Sequence, residues 1–403
     1  RDLAQGCPSV ARASAWPGCR REGFEPMELE EPWPGGEAAP PVRMRGQLPA
    51  DRFKYDGGVL AADGCVCFVP NSSREVLAVS RGGGLETFGG PLPEGSNKWS
   101  GGVLAKDGRI YCVPNSATSV LVIDPATRTT STFGELSPEL FKWGDGVLAS
   151  DGRIYCIPVD AGSVLVIDPD ARTTSTFGEL PRGSDMWFGG VIGPDGVLYC
   201  APYNAPSVLA VDLQTRTTRT LGDLGRGPEK WAGAALGEDG LIYCTPACAR
   251  HVLVIDPRSQ SATTDVFPAL PDSGNKWCGA ALGPDGLIYG MPSAHGSVLV
   301  MDPRRRRLRI RTVDGLQGGS QYCGAVFGHD GLVYGVPHNA RSVLVVSPFR
   351  RACWSPPLHG DFPRSSRLLV RWLLLCQVLD ARGRQRRCGL RSLGGLLVTH
   401  VLP

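Results

Sequence analysis

Residues 98–141 read KWSGGVLAKDGRIYCVPNSATSVLVIDPATRTTSTFGELSPELF, and the chain is built by repeating them. The next copy opens KWGDGVLASDGRIYCIPVDAGSVLVIDPDARTTSTFGEL at Lys142. Aromatic anchors mark the copies: Tyr55, Trp99, Trp143, Trp187, Trp231, Trp277 and Tyr322, spaced by 44, 44, 44, 44, 46 and 45 residues. An Asp-Gly pair follows each anchor by eight residues, at Asp63, Asp107, Asp151, Asp195, Asp239, Asp285 and Asp330. A period near 45 without helical periodicity is a propeller signature and excludes a helical solenoid.

One copy contains four strand-like segments. Gly102-Val103-Leu104-Ala105 is short and light, and Asp107-Gly108 offers the left-handed backbone of a tight hairpin. Ile110-Tyr111-Cys112-Val113 and Val120-Leu121-Val122-Ile123 are apolar on both faces and must be covered on both. Thr129-Thr130-Ser131-Thr132-Phe133 is polar and β-branched, as an outer strand should be. The seventh copy ends after Val343-Leu344-Val345-Val346 and lacks this outer strand. Residues 41–48 resemble the tail of a copy, so they are expected to complete the last blade and remove an open sheet edge. The predicted fold is an all-β, seven-bladed propeller of four-stranded antiparallel blades over residues 41–351, closed by that amino-terminal strand.

Composition narrows the rest. Residues 352–403 carry a charge of +6 and residues 1–40 a charge of −3, so the repeat region is neutral and nucleic acid is not an expected partner. Residues 1–40 read as disordered or extraneous, and 352–403 as an Arg/Leu-rich tail with a short helix over 367–379. No apolar run reaches the length of a transmembrane helix. The chain opens on Arg1 rather than Met, which leaves a preceding segment open. Cys112, Cys156, Cys200 and Cys244 recur every 44 residues at one repeat position, too far apart for disulfides and suited to small buried hydrophobes. Unpaired buried thiols point to a reducing, cytoplasmic compartment. A monomer is expected.

The segments Ile110 to Ser116 and Val120 to Thr127 resemble the YVTN-type β-propeller repeat, and Gly-x-Asp-Gly-x-Ile-Tyr is similar to streptogramin-lyase-like and NHL repeats. The resemblance implies the fold. It does not choose among the adhesive, scaffolding and enzymatic roles such repeats serve.

Antiparallel strands A to D put the B–C and D–A connections at one end of the ring, and these loops vary while the frame does not. That face is the expected binding surface for a protein or small-molecule ligand, without catalysis. Its candidate residues are Lys98, Lys142, Lys230, Lys276, Asn115, Asp160, Asn204, His338 and Asn339. The Lys–aromatic pairs suit an anion or cation–π contacts; alternatively each Trp fills an inter-blade gap while its Lys is solvated. Cys248, His251, His295 and His338 are candidate metal ligands, although their spacing matches no compact motif and no cofactor is implied. The alternative is a metal-dependent, lyase- or lactonase-like enzyme at the central channel, with Asp56, Asp145 and Asp160 near its mouth. Arg307, Arg309 and Arg311, alternating with apolar residues, are expected on one side of an outer strand.

Overall fold

In the computed structural model, whose described residues are 42–264, 267–270, 274–312, 321–348, 390–393 and 396–399, seven four-stranded antiparallel sheets follow one another as propeller blades. In the second blade, strand A is Trp99–Leu104, B is Ile110–Pro114, C is Val120–Asp124 and D is Thr129–Phe133. The innermost strands A of the other blades are Tyr55–Leu60, Trp143–Leu148, Trp187–Ile192, Trp231–Leu236, Trp277–Leu282 and Tyr322–Phe327. Every B strand is buried along its described length apart from one flanking residue of Val197–Pro202, as two-faced apolar segments require.

The ring closes as the sequence suggests. Val42–Arg45 pairs antiparallel with Val343–Val346 in the register Val42↔Val346, Arg43↔Val345, Met44↔Leu344 and Arg45↔Val343. Just downstream, the Leu48 N–H donates to the Arg341 carbonyl at 2.7 Å and the Leu48 side chain is buried.

The anchors fill the gaps between blades. Trp99 packs with Val59, Cys67 and Val76 of the first blade and with Leu121 and Ile123 of its own. Each Trp indole donates to a carbonyl twenty residues on: Trp99 to Ser119 at 2.8 Å, Trp143 to Ser163 at 2.8 Å and Trp277 to Ser297 at 2.7 Å. The Asp-Gly turns are scaffold too. Asp107 Oδ1 accepts the Arg109 N–H at 3.1 Å, and its Oδ2 accepts the Tyr111 hydroxyl at 2.9 Å. The same Tyr–Asp bond recurs at Tyr155, Tyr199, Tyr243, Tyr289 and Tyr334. Cys112, Cys156, Cys200 and Cys244 are fully buried thiols, and burial pushes all four up.

The outer strand Arg307–Thr312 pairs with Ser297–Asp302, while the side chains of Arg309 and Arg311 lie outside the description. By itself, the carboxy-terminal unit holds a hairpin, Leu390–Leu393 with Leu396–Thr399. The tail 1–40 and the helix expected over 367–379 lie outside the described residues. No described helix is long and apolar enough to cross a membrane.

Candidate functional site

The B–C/D–A end of the ring holds the predicted site residues, but most are engaged in joining blades. The lysines expected to be solvated are instead buried: Lys98, Lys142, Lys230 and Lys276 are between 1% and 7% exposed. Each ammonium caps a carbonyl of the preceding blade, and those of Lys98, Lys142 and Lys230 also cap one in their own approach loops. Lys98 Nζ donates to Ser73 O at 3.2 Å and Gly95 O at 3.1 Å; Lys142 Nζ donates to Ala117 O at 3.2 Å and Glu139 O at 2.7 Å. Lys230 reaches Ala205 O at 2.8 Å and Gly227 O at 3.0 Å, and Lys276 reaches Ala249 O at 3.0 Å. The ammonium groups of Lys98, Lys142 and Lys230 also lie 5.8, 6.0 and 6.0 Å from the ring centroids of Trp99, Trp143 and Trp231. Buried carbonyls need donors, and a lysine stem running along the indole supplies one without exposing the seam. Burial lowers Lys98 and Lys230 to about 8.

The loop residues form a second set of clasps. Two residues before five of the anchors, the backbone turns left-handed, at Phe53, Asn97, Phe141, Asp185 and Glu229. Each freed N–H donates to a loop side chain of the preceding blade. The acceptors are Asn339 Oδ1 at 2.8 Å, Asn71 Oδ1 at 3.0 Å, Ser116 Oγ at 3.2 Å, Asp160 Oδ1 at 2.6 Å and Asn204 Oδ1 at 2.7 Å. Asn115 Nδ2 donates across the seam to the Trp143 carbonyl at 2.9 Å. Asp160 Oδ1 is thus engaged by the Asp185 N–H.

The metal candidates also stay apart. Cys248 Sγ contacts Glu229 Oε2 at 3.5 Å, and the His251 carbonyl takes the Trp231 indole proton. His295 hydrogen-bonds Ser297 and lies on Trp277, with ring centroids 5.0 Å apart. His338 packs edge-on against Phe53, also at 5.0 Å. Among the described residues no three His, Cys, Asp or Glu side chains gather as a metal site.

What lines the channel mouth is a column of strand A that sequence reading largely passed over. The residues immediately after the anchors are Asp56, Ser100, Gly144, Phe188, Ala232, Cys278 and Cys323. They meet around the ring. Ser100 Oγ donates to Asp56 Oδ2 at 2.7 Å, Cys278 and Cys323 lie sulfur to sulfur at 2.8 Å, and Ala232 clusters with Cys278, Phe188, Tyr203 and Cys323. One further residue along, Gly57, Gly101, Asp145, Gly189, Gly233, Gly279 and Gly324 all have left-handed φ, from 64° at Asp145 to 105° at Gly324. A β-carbon placed on Gly101 would lie 2.5 Å from the Asp145 Cα. Neighbouring blades thus touch backbone to backbone below the mouth, which is why this column is glycine. A bulge in every strand A produces the turn.

Asp145 is the exception in that glycine column. Its Oδ1 accepts the Gly146 N–H at 2.8 Å, and Asp is among the few residues that tolerate this backbone. Burial raises its carboxyl from 3.8 to about 6, with the Asp56 charge adding to the rise. A carboxyl raised in the folded state stabilises the fold below its unfolded value and loses that contribution as the pH climbs to about 6. Wild type should therefore lose roughly 2 kcal/mol relative to Asp145→Asn between pH 4 and 7. Urea titrations at both pH values measure this, and parallel curves would refute it.

The mouth has two unlike halves. Asp56, Ser100 and Asp145 supply polar groups from the first three blades; Phe188 and Tyr203 of the fourth, with ring centroids 5.8 Å apart, cluster with the buried Ala232 and Ala247 of the fifth. Asn275 Nδ2 donates to the Tyr203 hydroxyl at 3.2 Å, and burial pushes that phenol well up. The sequence signal for this site is chemical variety (Asp, Ser, Gly, Phe, Ala, Cys, Cys) in one column of a strand that otherwise repeats.

The architecture has known counterparts. Its fold resembles that of streptogramin B lyase. A structure of that enzyme superposes with a TM-score of 0.64 at 13% identity, over 76% of this chain and 97% of the other. Virginiamycin B lyase from Staphylococcus aureus, as a catalytically inactive variant with quinupristin, gives 0.65 at 12% identity, over 77% and 100%. The extracellular domain of a putative hybrid two-component system from B. thetaiotaomicron gives 0.59 at 12% identity, over 77% of this chain and 41% of that one. At such identities the likeness carries the fold, and the neighbours include both a lyase and the extracellular domain of a putative two-component system. No family model matches the sequence, and no curated protein matches it.

Proposed function

We propose that the protein is a non-enzymatic binding module whose ligand seats at the channel mouth on the B–C/D–A face. The observation that carries this is the divided mouth: carboxylates and a hydroxyl on one side, Phe188 and Tyr203 on the other. Such a division of polar and aromatic groups suits an amphipathic ligand, or a protein side chain, with an aromatic or aliphatic body and a cationic or hydrogen-donating end. The body lies against Phe188 and Tyr203, and the polar end meets Asp56 and Asp145. The clasped lysines and loop amides hold the rim rather than the ligand.

A panel of aryl-alkyl amines and the matching carboxylic acids, screened by thermal shift, tests the reading. Amines should raise the melting temperature and acids should not. Phe188→Ala and Asp56→Asn should each weaken the best amine by roughly tenfold or more, as expected for losing an aromatic anchor or a paired charge. Equal response to both classes, or affinity unchanged in both variants, overturns the proposal.

One feature favours a second reading, catalysis at the same mouth: burial, with the Asp56 charge, raises the Asp145 carboxyl to about 6, in the range of a working general base. Incubation with quinupristin and mass analysis of the product, beside Asp145→Asn, decides this reading separately from binding.

A further inference from the structure

At the junction between the last two blades, two thiols meet sulfur to sulfur at the strand-A position beside the anchors. Cys278 and Cys323 each follow their anchor by one residue, on neighbouring strands A, and their sulfurs stand 2.8 Å apart. A disulfide needs about 2.05 Å between sulfurs, so the two are already aimed at one another and a short displacement joins them. Cys278 is 7% exposed and Cys323 is partly exposed. The B-strand thiols Cys112, Cys156, Cys200 and Cys244 are by contrast sealed.

We propose that Cys278 and Cys323 form a redox-active dithiol that low-molecular-weight disulfides oxidise to a bond latching the sixth blade to the seventh. The Cys323 thiolate attacks one sulfur of the oxidant, for example glutathione disulfide. That bond breaks and one glutathione leaves as a thiolate. The Cys278 sulfur then displaces the second glutathione from the mixed disulfide. One disulfide is formed and one broken, and the two cysteine protons end on two glutathione thiols. Asp56 couples this chemistry to the mouth. The Cys278 hydrogen bond and burial, with the Asp56 carboxylate adding, hold the Cys323 thiol up, so the thiolate fraction limits the first step. Oxidation removes the thiol proton facing Asp56 and leaves Ser100 as its donor.

The full chain, reduced and desalted, is incubated with glutathione disulfide at pH 7, 8 and 9. Denaturing alkylation and peptide mapping then follow the thiols. The expected result is loss of two alkylatable thiols per chain and a peptide joining Cys278 to Cys323. The rate should rise roughly tenfold per pH unit, as a thiolate-limited step requires. The oxidised protein should melt roughly 5 °C higher, because the bond closes a loop through the ring. Cys278→Ala and Cys323→Ser place at these positions the residue types that Ala232 and Ser100 already supply in the same column, and each should abolish the linked peptide. Two thiols that stay alkylatable at pH 9, or a linkage to any other cysteine, overturn the proposal.

Discussion

Deleting residues 41–48 is expected to lower the melting temperature by more than 10 °C and to make the protein aggregate. The deletion removes the four-residue ladder from Val42 to Arg45 and exposes the strand Val343–Val346, which is buried along its whole length. It also takes away the buried Leu48 side chain and the partly buried Val42, worth about 1.5–3 kcal/mol each when fully buried. Together with the lost ladder bonds this reaches about 5 kcal/mol, comparable with the whole stability of many domains. An exposed apolar edge then recruits strands from other molecules. Circular dichroism melts with light scattering measure both effects. A synthetic peptide of residues 41–48 added in trans should restore part of the loss. An unchanged melt would mean that closure does not hold the ring.

Gly279→Ala should be far more damaging than Gly108→Ala, although both glycines have nearly the same left-handed backbone, at φ of 78° and 81°. That conformation costs either alanine about 1 kcal/mol. The surroundings differ. A β-carbon on Gly108 meets nothing within 4 Å, whereas one on Gly279 would lie 2.4 Å from the Gly324 Cα and 2.8 Å from its nitrogen. Those neighbours are backbone in a closed ring, so relief requires moving a blade. The added overpacking brings the Gly279 substitution to roughly 3–5 kcal/mol. Urea denaturation of the two variants beside wild type reads the difference directly. Equal losses would show that the ring opens to admit the methyl group.

Much of the fold was legible because each repeat states it again. The Asp-Gly turns, the two-faced B and C strands and the missing last strand all depend on local backbone chemistry and burial, which recur at fixed spacing. The site was less legible. Asn115, Asp160, Asn204 and Asn339 vary in the way binding residues vary, yet Asp160, Asn204 and Asn339 accept from left-handed N–H groups of the next blade and Asn115 donates to the Trp143 carbonyl, partners that no spacing reveals. The lysines misled for a related reason. A charged residue beside an aromatic reads as solvated until the carbonyls that surround its ammonium are placed.

By itself, then, the sequence determined the blade and the number of blades, because hydrophobic period and turn chemistry act within about 45 residues of chain, and the outer strand missing from the seventh copy pointed to the segment that closes them. Only the tertiary structure decided which side chains face the channel. Asp56 meets Ser100, and Cys278 meets Cys323, across blade junctions some 45 residues apart in sequence. That meeting depends on ring closure and on a bulge in every strand A that turns one glycine column against the next. Proximity of that kind is set by the curvature of the whole ring, and no single repeat contains it.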